Sequence, residues 1–146
     1  MIGLLQRVRR AAVEVAGETV ASIGPGLLVL VGVQRGDGEA QGQRLLERLL
    51  GYRVFADAEG RMNLSLRDTK GGLLLVPQFT LAADTSRGSR AGFTTAAAPA
   101  QARILFESLL AQARREWPGT GSGVFGTDMQ VSLVNDGPVT FWLETS

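Results

Sequence analysis

Residues 135–140 read Asn-Asp-Gly-Pro-Val-Thr and lie between two strand-like runs at residues 129–134 and 139–143. Asn, Asp and Gly tolerate the backbone angles that tight turns need. Proline directly after glycine removes a backbone donor and makes a cis peptide bond accessible. A Gly-Pro turn also presents backbone carbonyl groups without a long side chain. We therefore predict a hairpin through Gly137-Pro138, which is either a plain connection or a ligand-binding element.

The hydrophobic pattern predicts a mixed α/β fold in a single domain, residues 1–146, with β-sheets packed against two main helices. A continuous apolar run at residues 27–33 is typical of a strand buried on both faces. Further strands are expected at residues 2–8, 12–15, 19–23, 52–55 and 73–76.

Two helices are predicted on either side of residues 52–76. Asp37 is expected to cap the first, which ends near Leu50 and buries a stripe formed by Leu45, Leu46, Leu49 and Leu50. Pro99 suits the first turn of the second helix. Its core side is predicted to consist of Ile104, Leu105, Leu109 and Trp117, followed by a flexible link at residues 119–123.

The composition excludes several classes of chemistry. The 146 residues contain no His and no Cys, so a Ser-His-Asp triad, thiol catalysis and disulfides are impossible. Without those ligands we expect no metal site, and no phosphate-loop or dinucleotide motif follows a strand, so we expect no cofactor. We also expect no membrane segment and a cytoplasmic protein, because long apolar runs and a signal-peptide pattern are absent.

Four ordered motifs carry a family resemblance: Gln6-Arg7-Val8, the run Gln78-Phe79-Thr80-Leu81, residues 123–129 (GVFGTDM), and residues 135–140. Shorter matches occur at residues 26–30, 62–65 and 82–85. In this order and spacing the chain resembles the D-aminoacyl-tRNA deacylases, also called the D-tyrosyl-tRNA deacylase family. The likeness covers nearly the whole chain.

The resemblance implies a homodimeric enzyme that hydrolyses the ester bond of D-aminoacyl-tRNA, and of glycyl-tRNA as well. Gln78, Phe79 and Thr80 would be the catalytic motif. The implied substrate-binding residues are Arg7, Phe125, Met129, Gly137 and Pro138. The family's Gly-Pro peptide is cis, and its carbonyl oxygens enter the partner subunit's active site, hold the α-amino group and exclude L-residues.

Some alternatives remain open at this level. A Thr80 nucleophile needs a base, and none is adjacent in sequence, so the ribose hydroxyl of the RNA is a second candidate for the driving group. Phe125 can stack on the terminal adenine or simply lie in the core, and Phe79 is expected in the core with one edge at the pocket. A non-catalytic module that binds an RNA end or a small amine is the alternative function.

Three positions depart from the family pattern. Pro77 stands where the motif has Ser, Ala91-Gly92 stands where relatives often have Pro-Ser, and Thr127 stands where Ala is usual. The first change removes a hydroxyl and a backbone N–H next to Gln78. We expect activity to be retained with altered local geometry.

Arginines are clustered although the net charge is only +1. Arg87 and Arg90 lie in a Gly/Ser-rich loop and are the predicted tRNA-binding residues, with a solvated surface as the competing interpretation. Arg114 and Arg115 are explained by favourable charge at a helix C-terminus.

Overall fold

The computed structural model describes residues 1–146. Its main sheet has six strands, and β1 (Ile2–Val15) joins most of them. The first half of β1 pairs antiparallel with β3 (Gly26–Gly32), and its second half pairs with β2 (Glu18–Ile23). On its other side, β1 pairs along nearly its whole length with β8 (Gln130–Glu144).

The sheet is mixed because β3 also pairs in parallel with β6 (Gly72–Pro77), which pairs in parallel with β7 (Gly121–Ser122). A separate two-stranded sheet contains β4 (Phe55–Ala56) and β5 (Met62–Leu64). The helical segments are α1 (Glu39–Gly51), the short α2 (Leu66–Thr69), a 3₁₀ helix (Phe79–Ala82) and α3 (Pro99–Glu116). None of these helices has the length and apolarity needed to cross a membrane.

Apolar residues fill both faces of the sheet. The larger cluster lies between the sheet and the helices α1 and α3, and the predicted stripe of Leu45, Leu46, Leu49 and Leu50 belongs to it. A smaller cluster on the opposite face contains Val8, Ala11, Val13, Leu28, Leu74 and Val76. The predicted mixed α/β fold with two main helices is therefore confirmed, and so is the two-sided burial of β3.

The predicted hairpin at the C-terminal end is wrong. Residues 130–144 form one strand, and both of its halves pair with β1 rather than with each other. Gln6 pairs with Thr140, and Val8 pairs with Asn135. More residues of β8 than of β1 lie between these two pairs, so the β8 backbone bulges outward. The turn-like residues of 135–140 thus interrupt a strand without reversing the chain, as a β-bulge does.

The predicted break in the first strand is also wrong, because β1 is continuous for 14 residues. Register shifts between Gln6 and Arg10 show where β1 accommodates the bulge of β8. The arginines at 7, 9 and 10 obscure the strand in the sequence. Backbone pairing with β3 or β2 on one side and β8 on the other keeps it extended.

Asp37 does not cap α1, because Gly38 occupies the N-cap position. The Asp37 carboxylate instead accepts hydrogen bonds from the amino group of Met1 at 2.8 Å and from the Gln34 N–H at 2.7 Å. Gln41 Oε1 accepts from the Gly38 N–H at 2.7 Å and supplies the missing cap. The carboxylate therefore ties the Met1 amino group to the segment between β3 and α1.

Ile104 was predicted on the core side of α3 but is 59% exposed, and Phe106 is buried in its place. The buried positions of α3 are Ala102, Leu105, Phe106, Leu109 and Ala113, which follow the helical period. Trp117 ends this helix half-buried, and its indole N–H donates to Gly71 O at 2.9 Å.

Two short segments also differ from their predictions. Residues 52–55 contribute only Phe55 to a strand, because Tyr52 ends α1 and the β4 pairing begins later. Residues 119–123 are not merely a link, because they contain β7. Gly121 allows this close pairing: a Cβ there would lie 3.2 Å from Leu74 and 3.4 Å from Ala21.

Candidate active site

A pocket of about 660 Å³ opens on the sheet face opposite the helices. Its floor is apolar and comes from β3, β6 and β8, while the 3₁₀ helix and the loop at residues 123–129 form its walls. The lining residues are Gln6, Leu28, Leu30, Val76, Pro77, Gln78, Phe79, Thr80, Pro99, Phe125, Gly126, Thr127, Asp128, Met129, Val131 and Leu133. Five predicted site residues, Gln78, Phe79, Thr80, Phe125 and Met129, are thus brought together.

Gln78 and Thr80 form a hydrogen-bonded pair at the pocket wall. The Gln78 N–H donates to Val31 O at 2.8 Å, which anchors this residue to the end of β3. The Thr80 hydroxyl donates to Gln78 Oε1 at 2.5 Å, and the Thr80 N–H donates to the same oxygen at 3.3 Å. The two N–H groups of the Gln78 side-chain amide therefore remain available as donors. No histidine or carboxylate is bonded to the Thr80 hydroxyl.

Phe79 lies outside the core, contrary to the prediction. Its side chain is 38% exposed and stacks on Phe93, with ring centroids 5.0 Å apart. The Thr95 hydroxyl donates to Ala82 O at 2.7 Å and ties the following segment to the 3₁₀ helix. Phe79 and Phe93 therefore form an apolar rim at the pocket.

Phe125 lines the pocket but is already in contact with two other side chains. Its ring centroid is 6.4 Å from that of the buried Phe106, and the Arg103 guanidinium lies 5.1 Å from the same ring. Less of the ring is therefore left for stacking on a base than the sequence suggested. Met129 Sδ accepts from the Val124 N–H at 3.3 Å and closes the loop that carries Phe125.

Pro77 ends β6 and also lines the pocket. Its ring packs beside Gly123, where an added Cβ would be 3.2 Å from Pro77 Cδ. The position therefore gives the pocket an apolar wall in place of the hydroxyl that the family motif has here.

The Gly137-Pro138 bulge is held by Arg7 and Asn135. Arg7 Nε donates to Asp136 O at 3.0 Å, and Arg7 Nη1 donates to Val54 O at 2.6 Å. Asn135 Nδ2 donates to Arg7 O and Val139 O, both at 2.9 Å. The Gly137-Pro138 peptide bond is cis.

This bulge is separate from the pocket of its own chain. Gly137 and Pro138 are exposed, and neither lines the pocket that holds Gln78 and Thr80. Arg7, Gly137 and Pro138 therefore form a second group of predicted site residues. Asn135 braces the bulge, a role that its turn-like sequence context does not indicate.

Arg87 and Arg90 lie in an exposed loop closed by a bridge between Asp84 and Gly92. The Ser86 hydroxyl donates to Asp84 Oδ1 at 2.6 Å, and the Ser86 N–H donates to the same atom at 2.9 Å. These two bonds, the hydroxyl first, lower the pKa of Asp84. The Asp84 carboxylate in the turn before the two arginines therefore stays ionised to a lower pH than a free aspartate does.

The fold and the site together define a class of protein. It is a small α/β domain with a mixed sheet, and its pocket carries an amide–hydroxyl pair at the end of a strand but no His or Cys. The chain belongs to the D-Tyr-tRNA(Tyr) deacylase family, whose sequence model matches residues 4–144. The resemblance drawn from the motifs is therefore confirmed.

Similar proteins cover the chain almost completely. A protein of Thioalkalivibrio sulfidiphilus (strain HL-EbGR7) named D-aminoacyl-tRNA deacylase is 67% identical over 144 residues, covering 99% of this chain and 97% of its own. A protein of the same name from Nitrosococcus oceani is 62% identical, covering 99% of this chain and 93% of its own.

Solved structures show the same fold. One titled "c-Myc DNA Unwinding Element Binding Protein" is 36% identical with a TM-score of 0.95, covering 100% of this chain and 99% of its own. A probable eukaryotic D-amino acid tRNA deacylase has a TM-score of 0.83 at 16% identity, covering 99% and 98%, and supports the fold alone.

Proposed function

We propose that this chain, an ester hydrolase of the D-aminoacyl-tRNA deacylase family, cleaves D-aminoacyl-tRNA in the pocket that contains Gln78 and Thr80. The observation that carries the proposal is the Gln78–Thr80 pair, whose side-chain amide donors have no partner within the chain and lie at the wall of a pocket with an apolar floor. The family membership and the relatives' name, D-aminoacyl-tRNA deacylase, support the same substrate class.

In the proposed reaction, water adds to the ester carbonyl carbon and the bond to the ribose oxygen breaks. The ribose oxygen takes a proton, and the products are a free D-amino acid and tRNA. Gln78 Nε2 donates a hydrogen bond to the carbonyl oxygen, where negative charge develops in the transition state. Because the chain has no histidine to act as base, the neighbouring ribose hydroxyl of the RNA assists the water.

We further propose that chirality is selected by a partner subunit. In a homodimer, the Gly137 and Pro138 carbonyl oxygens of one subunit enter the pocket of the other and hold the substrate's α-amino group. An L-residue would direct its side chain into this backbone and be excluded, while glycine would be accepted. The exposed position of the bulge and its bracing by Arg7 and Asn135 support this arrangement.

Exposed apolar surface on the sheet face that carries the pocket supports the proposed dimer. Trp142 pairs with Leu4, and Leu4 pairs with Leu30, so these three side chains share the face that carries the pocket. Trp142 is 52% exposed on a single chain. Exposed apolar surface of this kind is characteristic of an interface between proteins.

The deciding experiment compares D-tyrosyl-tRNA and L-tyrosyl-tRNA as substrates. We expect release of D-tyrosine and little release of L-tyrosine, by a protein that light scattering shows to be a dimer. Binding of tRNA without release of either amino acid would instead support a non-catalytic RNA-end module. A fully active monomer would contradict the selection by a partner subunit.

Arg87 and Arg90 are proposed to contact tRNA phosphates. Replacing both with Gln should weaken tRNA binding and flatten its salt dependence, because each lost contact reduces the log–log salt slope by roughly 0.7 to 0.9. Arg67→Gln is the control, since Arg67 is exposed and precedes the opposite end of β6. An unchanged slope in the double variant would assign both arginines to the solvated surface.

A further inference from the structure

We propose that a groove on the helix side of the sheet binds the unpaired 3′ strand of the tRNA whose aminoacyl end lies in the partner subunit's pocket. The groove has a volume of about 550 Å³ and is lined by Gly51, Tyr52, Arg53, Met62, Asn63 and Phe141. This inference rests on the proposed function and extends it to the nucleotides before the terminal adenosine.

The groove offers surfaces on which a nucleobase can stack. The Tyr52 and Phe141 rings have centroids 5.6 Å apart at an interplanar angle of 58°. Met62 is 50% exposed and Phe141 is 36% exposed, so apolar surface faces solvent here. Aromatic side chains of this kind bind successive bases of single strands without needing a particular sequence.

The charges around the groove complement a nucleic-acid backbone. The Arg48 guanidinium lies 5.8 Å from the Tyr52 ring centroid, and Arg53 Nη1 donates to Asn63 Oδ1 at 3.1 Å. No carboxylate is among the lining residues. Cations beside exposed rings form the combination that single-strand binding sites use, with the cations facing phosphates.

The position of the groove indicates which pocket it serves. Phe141 pairs with Leu5 and Leu5 with Val29, so Phe141 lies on the helix side of the sheet. The pocket of the same chain is lined by Leu28 and Leu30, which point to the opposite side. The sheet therefore separates the groove from its own pocket.

The groove instead adjoins the bulge that is proposed to enter the partner's pocket. Arg7 bonds to Val54 O, next to the groove residue Arg53, and to Asp136 O, next to Gly137. Phe141 follows the bulge on the same strand. An RNA strand that leaves the partner's pocket past Gly137 therefore reaches the groove first.

The test compares two substrates: D-tyrosyl-tRNA and D-tyrosyl-adenosine, which ends before the groove. We expect Arg53→Gln combined with Met62→Ala to lower kcat/KM for the tRNA about 10-fold, because an apolar contact to a base beside the rings and a phosphate contact are lost. Hydrolysis of D-tyrosyl-adenosine should stay unchanged. Arg61→Gln is the control, because Arg61 is 80% exposed on the same hairpin and pairs with Glu59.

Equal losses on both substrates would overturn the inference, because the substitutions would then act on the pocket or the fold. No loss on either substrate would overturn it as well. If the unmodified protein cleaves neither substrate, the proposed function fails, and the affinity for uncharged tRNA decides the groove separately. Weaker binding by the double variant than by Arg61→Gln would support the groove, and equal binding would reject it.

Mixed dimers test the assignment to the partner. A subunit with the groove substitutions is paired with a subunit whose pocket carries Gln78→Ala and Thr80→Ala, which leaves one intact pocket served by one intact groove. We expect this dimer to cleave tRNA normally at its single pocket. With all four substitutions in one subunit, activity on tRNA should fall about 10-fold. The reverse result would place the groove with its own pocket and refute the inference.

Discussion

Gly137→Ala is expected to lower D-tyrosyl-tRNA hydrolysis about 100-fold while the chain stays folded, because misplacing a positioning group by about 1 Å costs that much. Gly137 has φ of +134°, which side chains with a Cβ rarely adopt. An added Cβ would lie 2.7 Å from Val139 Cγ2 and 3.1 Å from Arg7 Nη2. The backbone of the bulge must therefore shift, and its carbonyl oxygens move with it. Single-turnover release of D-tyrosine measures the effect.

Gly17→Ala is the matched control for this prediction. Gly17 also has a positive φ, +82°, but an added Cβ there would meet nothing within 4 Å. Its turn between β1 and β2 does not line the pocket that holds Gln78 and Thr80, so we expect some backbone strain with normal turnover. Normal activity and normal D-preference in Gly137→Ala would show that the bulge does not position the substrate.

Gly26→Ala is expected to cost about 3 kcal/mol or more of the free energy of unfolding, because overpacking against rigid backbone leaves nothing to rearrange cheaply. Gly26 pairs with Gly72 between the parallel strands β3 and β6. A Cβ on Gly26 would overlap the carbonyl oxygen of Gly72 and lie 2.6 Å from its nitrogen. Urea unfolding, or loss of soluble protein, measures the effect.

Gly24→Ala provides the comparison two residues earlier. A Cβ there would meet nothing within 4 Å, so we expect a change within about 0.5 kcal/mol. A melting curve for Gly26→Ala that coincides with the unmodified protein would mean that β3 and β6 can separate at this point without loss.

Local patterns predicted the elements that form the main core. The apolar run of β3, the leucine stripe of α1 and Pro99 at the start of α3 were all recognisable, because each follows from periodicity or from proline's fixed φ. The error at Ile104 is of another kind. Ile104 and Phe106 are both apolar, but only Phe106 fits the helical period of the other buried positions, so the periodicity was misassigned at this point.

The sequence predicted which residues belong to the candidate site, but not how they are placed relative to one another. Gln78, Thr80, Phe125 and Met129 were identified from ordered motifs, and the fold places them around one pocket. The motifs alone do not show that Gly137-Pro138 lies outside the pocket of its own chain, and only the family resemblance implied it by assigning these carbonyls to the partner subunit's site. The segment has the composition of a hairpin turn, and its role as a bulge depends on pairing with β1.

The sequence by itself determined the mixed α/β class, the family, and a chemistry without histidine, cysteine or a nucleotide motif. These follow from residue types and their spacing, which do not depend on long-range contacts. Only the tertiary structure decided that residues 130–144 form one strand and that Arg7 and Asn135 brace the bulge. It alone placed the Tyr52–Phe141 groove and the pocket on opposite faces of the sheet, because partners distant in sequence set register and facing.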